Sequence, residues 1–237
     1  MRHNSYDKLP INTNIVLDLP HFEGSGAVLH DVSRSHHGIS LVHAPVWTAL
    51  GSGYQVLDYD GANDYGDCPA ADTVNLNFTN GDYSIGAWVK FLDNGSDMII
   101  DREGVGIDGW GVYLFDNILG GHGYLNLRHN HSSLGADVSD NCYSEGWFEN
   151  NWYFMGISRS GLYPVMYRNG VALTMSYEVS GMQDPDSAVR DLCLGVRYTK
   201  NANFYRGQMW RPRIWSRSLP EGEWNAIFES ERAIFGV

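Results

Sequence analysis

The chain has 237 residues, of which 43% are hydrophobic and 13% aromatic, so it holds enough apolar material for one large core. A formal net charge of −12 repels phosphate backbones and anionic lipid, so nucleic acid and membrane surfaces are not expected partners. With 27 glycines and only 19% charged residues, the composition is typical of short strands joined by tight turns.

Residues 1–13 form a polar arm that precedes a single predicted domain over residues 14–237. The arm has no apolar run and predicts no signal peptide, and no stretch of the chain has the length of a membrane span. Cys68, Cys142 and Cys193 are odd in number and widely spaced. That pattern favours buried free thiols over a zinc site or a disulfide framework.

Apolar runs separated by turn residues predict strands along most of the domain. The clearest run, residues 83–92, carries apolar side chains on both faces, so we expect both faces to be covered. Asn169-Gly170 is a strong hairpin signal, whereas residues 129–141 are predicted as a polar loop. The predicted strands cover residues 15–19, 39–42, 83–92, 98–101, 110–115, 124–128, 152–158, 164–168, 171–177, 191–196 and 207–215.

Two further segments mark the start and the end of the strand-rich region. The acidic turn after Leu57, with Asp60 and Gly61 at its centre, favours left-handed backbone angles and bonds from side chain to backbone. Ser218 to Glu221 matches a capping box and predicts a short C-terminal helix. The elements together predict an all-β fold, a two-sheet antiparallel β-sandwich with a short C-terminal helix.

Six motifs occur in a characteristic order along the chain. They are Asp31-Val-Ser33 through Gly38, Tyr59-Asp-Gly-Ala-Asn-Asp-Tyr65, Asp82 through Lys90, Trp152-Tyr-Phe-Met155, Met166 through Gly170, and Tyr205 through Trp215. In that order they resemble the laminin-G-like jelly rolls of the concanavalin A-like lectin and glucanase superfamily. The resemblance implies a jelly roll and leaves the function open, because lectins, adhesion modules, glycosidases and capsid or tail components share this fold.

No catalytic residues are predicted. Glucanases that the chain resembles place an E-x-D-x-x-E run on one strand, and this sequence lacks it. The nearest acidic cluster, Asp97, Asp101, Glu103 and Asp108, surrounds apolar residues 98–100, which are typical of an ordinary buried strand. A glycoside hydrolase or polysaccharide lyase with a non-standard site is the alternative.

The resemblance also implies a calcium site between the Asp-x-Ser loop and an acidic pair in the closing strand. Asp31 is retained, but Trp210 and Arg211 stand at the positions of the acidic pair. Calcium takes about six to eight oxygen ligands, so the sequence argues against a metal and predicts no cofactor. Asp31 is interpreted as a residue that shapes the loop.

Residues 108–147 hold the candidate carbohydrate-binding side chains. Binding sites combine apolar and aromatic surfaces with a few polar groups that fix orientation. The predicted ligand-binding residues are Trp110, Tyr113, Arg128, His129, Asn130, His131, Tyr143 and Trp147. The alternative places Trp110 and Tyr113 in the core and leaves the polar loop as solvated surface.

The closing strand carries a second candidate surface. Alternation from residue 209 puts Arg211, Arg213 and Trp215 on one face, and Trp and Arg are enriched at interface hot spots. Trp210, Arg211, Arg213 and Trp215 are therefore predicted as an interface with another subunit. The alternative is that Trp210 fills the place of the lost metal.

These observations favour a non-catalytic recognition module that binds a glycan or a protein assembly, with a homo-oligomer as one arrangement. The lack of a signal peptide and of a catalytic domain predicts a virion-decoration or adhesion protein of a bacterial virus, located on the virion surface or in an extracellular assembly. A purely structural subunit without a ligand is the third alternative.

Overall fold

Strands dominate the computed structural model, which describes residues 5–93, 95–116, 123–132, 138–178 and 181–237. The strands are β1 (Ile15–Asp18), β2 (Val28–His30), β3 (Gly38–Val42), β4 (Val46–Ala49), β5 (Gln55–Asp60), β6 (Tyr65–Cys68), β7 (Tyr83–Phe91), β8 (Asp97–Gly104), β9 (Asp108–Asp116), β10 (Gly123–His131), β11 (Val138–Trp147), β12 (Trp152–Arg159), β13 (Val165–Arg168), β14 (Val171–Ala172), β15 (Ser176–Tyr177), β16 (Leu192–Leu194) and β17 (Arg206–Trp215). An α-helix, α1, spans Glu221–Phe235, and 3₁₀ helices span Ser5–Lys8, Pro10–Asn12, Ala70–Asp72 and Val74–Leu76.

The strands form two antiparallel sheets that pack face to face. The eight-stranded sheet has the order β14-β13-β12-β7-β17-β5-β4, and β1 pairs with the end of β17. The nine-stranded sheet has the order β15-β11-β10-β9-β8-β16-β6-β3-β2. The predicted all-β sandwich with a C-terminal helix is confirmed.

Strand alternation sorts the buried side chains into an inner core between the sheets and a second layer outside the eight-stranded sheet. In β7, Ile85 and Val89 belong to the inner core, whereas Trp88 belongs to the outer layer beneath α1. Both faces of this strand are covered, as the apolar residues on both faces predicted. Cys68 and Cys142 are buried in the inner core, and all three cysteines are free.

Helix α1 covers the outer face of the eight-stranded sheet with Trp224, Ile227 and Phe228. The predicted capping box is wrong, because the N-cap is Pro220 and Glu221 instead accepts a hydrogen bond from the backbone N of Ala172 at 3.0 Å. Gly236 ends the helix with a left-handed φ of 71°. No helix in the described part of the chain is long and apolar enough to cross a membrane.

Trp224 anchors the helix on two glycines. Gly86 of β7 and Gly156 of β12 are cross-strand partners, and the indole of Trp224 lies on both. A Cβ at Gly86 or Gly156 would lie 2.7 or 2.8 Å from the indole, well inside van der Waals contact. The Trp224 Nε1 donates a hydrogen bond to the Ser158 Oγ at 2.8 Å. The bare backbone of the two glycines therefore allows the helix its close approach.

Residues 5–13 of the predicted polar arm lie against β17 and the segment after it. The Tyr6 hydroxyl donates to the Asp18 Oδ2 at 2.6 Å, and the Trp215 Nε1 donates to the Ile11 carbonyl at 2.8 Å. The Arg217 Nε donates to the Thr13 carbonyl at 2.8 Å. These bonds hold the described part of the arm next to α1.

Two predicted segments differ from the structure. The predicted loop over residues 129–141 is wrong at both ends, since β10 continues to His131 and β11 starts at Val138, with residues 133–137 outside the described part. The predicted return strand over residues 171–177 is two short strands, β14 and β15. They belong to different sheets, so this segment passes from one sheet to the other.

The turn between β5 and β6 is held by Asp60. Its Oδ1 accepts hydrogen bonds from the backbone N of Ala62, Asn63 and Asp64 at 2.8, 3.0 and 3.3 Å. Burial works against ionisation of this carboxyl group, but the backbone donors outweigh burial and lower the pKa of Asp60. The carboxylate therefore stabilises the turn as an ion.

Asp60→Asn should lower the free energy of unfolding by about 0.5 kcal/mol at neutral pH, because an amide is a weaker acceptor than a carboxylate and the site is exposed. Because folding lowers the pKa of Asp60, the extra stability of the wild type over the variant is present above the ordinary Asp pKa of about 3.9. This difference in stability shrinks as the pH falls below that value. Urea unfolding across this pH range measures the effect. Equal stability at neutral pH would contradict the role of Asp60, and ligand binding should not change.

Gly156→Ala should lower the free energy of unfolding by about 1–3 kcal/mol, because the added methyl group overpacks against the Trp224 indole. The matched control is Gly222→Ala in the first turn of α1, where a Cβ would meet nothing within 4 Å. The control should be neutral or stabilising by up to about 1 kcal/mol, since Ala favours the helix. Thermal or urea unfolding compares the two, and a Gly156→Ala protein as stable as wild type would refute the close seating of the helix.

Candidate functional site

The outer face of the nine-stranded sheet carries the candidate site. Leu125 and Leu127 of β10 point into the inner core, so alternation turns Tyr124, Asn126 and Arg128 outward. These outward side chains line a groove that crosses β8, β9, β10, β11 and β15. On the opposite outer face of the sandwich, α1 packs on the eight-stranded sheet.

The groove has three adjoining lobes, named here by position. The central lobe has a volume of about 300 Å³ and is lined by Tyr113, Phe115, Tyr124, Asn126, Tyr143 and Glu178. The β8 lobe, of about 210 Å³, shares two of these side chains and is lined by Ser96, Met98, Tyr113, Phe115, Arg128, Arg197 and Asn203. The β11 lobe, of about 400 Å³, shares one and is lined by Tyr143, Glu145, Leu173, Thr174 and Ser176. Because the lobes share walls, the groove is elongated across the strands.

Aromatic rings and a buried amide form the central lobe. The rings of Tyr124 and Tyr143 meet edge to face with centroids 5.2 Å apart, and Phe115 is 49% exposed. Asn126 is only 7% exposed, and Glu178 adds a carboxyl group to the lining. The lobe therefore offers apolar rings beside polar side chains, which suits a ligand that has both apolar faces and hydroxyl groups.

Arg128 links the central lobe to a buried network in the β8 lobe. Its guanidinium lies 4.7 Å from the centre of the Tyr113 ring and binds both carboxylate oxygens of Glu103. The Asn130 Nδ2 also donates to Glu103, at 2.7 Å. Burial alone would lower the pKa of Arg128, but the bonded Glu103 carboxylate raises it above its ordinary value. The ion pair therefore forms a fixed wall of the groove.

The acidic residues of β8 and β9 are engaged by the protein itself. Asp101 and Glu103 are fully buried, and Asp101 accepts hydrogen bonds from the backbone N of Glu103 at 2.8 Å and of Tyr198 at 2.7 Å. Burial, followed by the charge of Glu103, raises the pKa of Asp101 well above its ordinary value. Asp97 and Asp108 each accept a backbone hydrogen bond. The four carboxyl groups do not form the open pair that glycoside hydrolysis uses.

Three predicted ligand-binding residues, Tyr113, Arg128 and Tyr143, line the groove. Trp110 and Trp147 do not, since they are 1% and 0% exposed and pack in the inner core. Their indole N–H groups donate inside the protein at 2.9 and 3.1 Å. The prediction that these two tryptophans contact a ligand is wrong, because their strands turn them toward the opposite sheet.

The predicted polar site from His129 to His131 is buried as well. The Nε2 of His129 lies 2.5 Å from the Tyr83 hydroxyl, its Nδ1 lies 2.8 Å from a backbone carbonyl, and burial lowers its pKa to about 4. His131 contacts Asp140 at 3.1 Å, and Asn130 is fully buried. The prediction that these three residues contact a ligand is wrong, because β10 continues through them and buries their side chains.

Sequence reasoning missed several groove residues that alternation could have found. Phe115 follows Tyr113 by two positions in β9, and Tyr124 and Asn126 precede Arg128 by four and two positions in β10. Residues at these spacings share one face of a strand. The lining residues outside the strands lie in loops, where no periodic signal marks them.

The predicted interface residues of β17 lie beneath α1. Trp210, Arg213 and Trp215 are 2%, 4% and 0% exposed, so the prediction of an exposed patch is wrong. Arg213 donates to both carboxylate oxygens of Glu231 in the helix, at 2.8 and 2.9 Å. Arg211 also donates to Glu231, at 2.9 Å. Arg211 and Arg213 therefore bind the helix.

A bulge at Arg211 breaks the predicted alternation of β17. Arg211 has a φ of 51°, and the register with β7 shifts between Trp210 and Arg213. As a result, Met209 belongs to the inner core while Trp215 belongs to the layer under α1. Residues 209 and 215 thus lie on opposite faces, contrary to the prediction.

The residues at the predicted metal position do not fit calcium. The two carboxylate oxygens of Asp31 accept four hydrogen bonds, at 2.7–3.1 Å, from Asp18, Ser33 and His37. Arg211 binds the carboxylate of the neighbouring Asp18 at 3.0 Å. In the described ranges, no group of three or more His, Cys, Asp or Glu is arranged to hold a metal. Asp31 acts here as an acceptor that shapes its loop.

Comparison with known proteins finds solved structures of the same architecture. No curated protein matches the chain. Solved structures with the same fold include the receptor binding domain of botulinum neurotoxin D, with a TM-score of 0.66, 13% identity and coverage of 93% of this chain and 54% of that one. The binding domain of Paraclostridial Mosquitocidal Protein 1 has a TM-score of 0.68 and 15% identity, and the match covers 93% of this chain and 53% of that one. The binding domain of botulinum neurotoxin DC in complex with SialylT has a TM-score of 0.64 and 15% identity, with coverage of 93% of this chain and 52% of that one.

This chain therefore spans about half the length of those solved structures, and identity at this level reflects a shared fold. The family model described as the concanavalin A-like lectin/glucanases superfamily matches residues 60–223. The match begins at the Asp60 turn and ends within the first turn of α1, so it covers β6 to β17, which include strands of both sheets. The chain belongs to the concanavalin A-like lectin/glucanase superfamily.

Proposed function

We propose that this protein is a non-catalytic recognition module that binds an oligosaccharide in the groove of the nine-stranded sheet. The central lobe carries the proposal. It combines four aromatic side chains with the polar side chains of Asn126 and Glu178. Pyranose rings have apolar faces that stack on aromatic rings and hydroxyl groups that form hydrogen bonds with amide and carboxylate groups.

The shape of the groove favours an extended ligand. Its lobes lie along five neighbouring strands, from β8 to β15, which at about 4.8 Å per strand corresponds to about 19 Å. Adjoining lobes share Tyr113, Phe115 and Tyr143, so one chain can run through all three. A short oligosaccharide fills this length better than a single sugar.

The solved structures support a recognition role without fixing the ligand. Binding domains with this fold have been described in complex with SialylT and with rat synaptotagmin II. A glycan and a protein are thus both bound by proteins of this architecture. For this chain we favour a glycan, because a groove lined by aromatic rings and a few polar side chains matches the chemistry of a sugar ring.

The wider context of the module is a separate part of the proposal. Display on a virion surface or in another extracellular assembly, with the module as a homo-oligomer or attached to a larger particle, stays a prediction. Sedimentation of the purified protein, alone and with particles, tests it. A strict monomer without affinity for particles would refute this part and leave glycan binding untouched.

Phe115→Ala and Tyr143→Ala should each weaken glycan binding by about tenfold, because each removes an aromatic contact from a wall shared by two lobes. The matched control is Phe22→Ala, since Phe22 is 75% exposed and contributes to none of the three lobes. A glycan array followed by calorimetry on the hits measures the affinities, and thermal unfolding checks that the variants fold.

Binding that is unchanged in both groove variants would refute the groove as the site. The same glycan panel separates recognition from cleavage when new reducing ends and unsaturated products are assayed. Product formation that is lost in Asp101→Asn or Glu103→Gln would replace the recognition module with a glycan-cleaving enzyme. A stable oligomer with no array hits would favour a structural subunit instead.

A further inference from the structure

The β8 lobe contains a cationic side chain whose charge the described protein does not neutralise. Arg197 lines this lobe and makes no ion pair with the described residues. Arg128, the other arginine of the lobe, is bound by Glu103. Arg197 instead places its guanidinium over the Tyr198 ring, 5.3 Å from the centroid. A guanidinium in contact with an aromatic ring keeps its hydrogen-bond donors for other partners.

The donors of Arg197 are incompletely used. Its Nε is buried and makes no hydrogen bond in the described structure. A ligand in the lobe would instead meet the terminal nitrogens of the guanidinium, which have no hydrogen-bond partner among the described residues. A short turn holds the residue in place, since the Lys200 backbone N donates to the Arg197 carbonyl at 2.7 Å. The side chain thus projects from a fixed backbone.

The nearby carboxyl groups do not cancel this positive charge. Glu103 is bound by Arg128, and the two carboxyl oxygens of Asp101 each accept a backbone hydrogen bond. The chain as a whole has a net charge of −12, but salt screens distant charges over about 8 Å at physiological ionic strength. Among the described residues, Arg197 is therefore the cation of the lobe without a bound carboxylate.

We infer that the β8 lobe binds the carboxylate of an acidic sugar through Arg197, while a neighbouring sugar ring lies on the aromatic residues of the central lobe. The inference rests on the proposed glycan-binding function and adds the ligand class, an acidic oligosaccharide. Guanidinium groups bind carboxylates in a two-pronged geometry that an ammonium group cannot reproduce. Phe115 and Tyr113 separate the two lobes, so adjacent sugars of one chain reach both.

Pairs of oligosaccharides that differ only in charge test the inference. Hexagalacturonate is compared with its methyl ester, and 3′-sialyllactose with lactose, by calorimetry on the full chain. Wild type should prefer the acidic member of a pair by about tenfold or more. Arg197→Gln should abolish that preference and leave the affinity for the neutral member within about twofold. Arg197 makes no ion pair among the described residues, so the variant should fold normally, as its melting temperature will show.

The matched control is Arg232→Gln, which removes the same charge from an exposed position on α1. It should keep the acidic preference. The inference would be overturned if wild type bound the acidic and neutral members equally, or if Arg197→Gln kept the acidic preference. In either case Phe115→Ala would still test whether the groove binds glycans. Absence of binding to every member would overturn both the inference and the proposed function.

Discussion

The close seating of α1 on the eight-stranded sheet is the contact on which the remaining architecture depends. The indole of Trp224 lies on a pair of glycines, and its N–H is satisfied by a buried serine hydroxyl. Near it, Glu231 binds Arg211 and Arg213 and accepts a hydrogen bond from the Trp88 indole at 2.8 Å. Buried charges are tolerated only when they are paired, and here the pairing joins the helix to the closing strand. Arg211 extends the network to Asp18 of β1, so both ends of the chain are fixed on the same face.

This arrangement makes the two outer faces of the sandwich unequal. One face is covered by the helix and by residues 5–13. Trp215 binds the N-terminal segment, and Arg211 and Arg213 bind the helix. The other face keeps aromatic side chains at positions where a strand must turn every second residue outward. Phe115 is exposed, and Tyr113, Tyr124 and Tyr143 are half-buried, so part of their apolar surface remains in contact with water. A ligand in the groove would bury that surface.

Local sequence rules predicted the elements whose structure is determined locally. Alternation found β7, Asn169-Gly170 marked the hairpin between β13 and β14, and the acidic turn at Asp60 separates β5 from β6 as expected. The errors have tertiary causes. His129 looks like a loop residue until Tyr83 and a backbone carbonyl satisfy its ring, and the alternation of β17 fails at the positive φ of Arg211. Alternation also explains why the candidate residues Tyr113, Arg128 and Tyr143 line the groove, whereas Trp110 and Trp147 were chosen by residue type and point inward. Ligand binding by the groove stays a prediction.

The polar groups of the groove restrict its ligand more strongly than its aromatic rings do. Aromatic residues also fill cores and interfaces, so their presence alone does not distinguish a ligand from a packing partner. Asn126 and Glu178 add polar groups to the central lobe, and Arg197 adds a cation without an ion pair among the described residues to the β8 lobe. The two lobes adjoin each other, on either side of the wall formed by Tyr113 and Phe115. A single ligand that carries hydroxyl groups at one position and an anionic group at the next would match both lobes, whereas an apolar ligand would match neither.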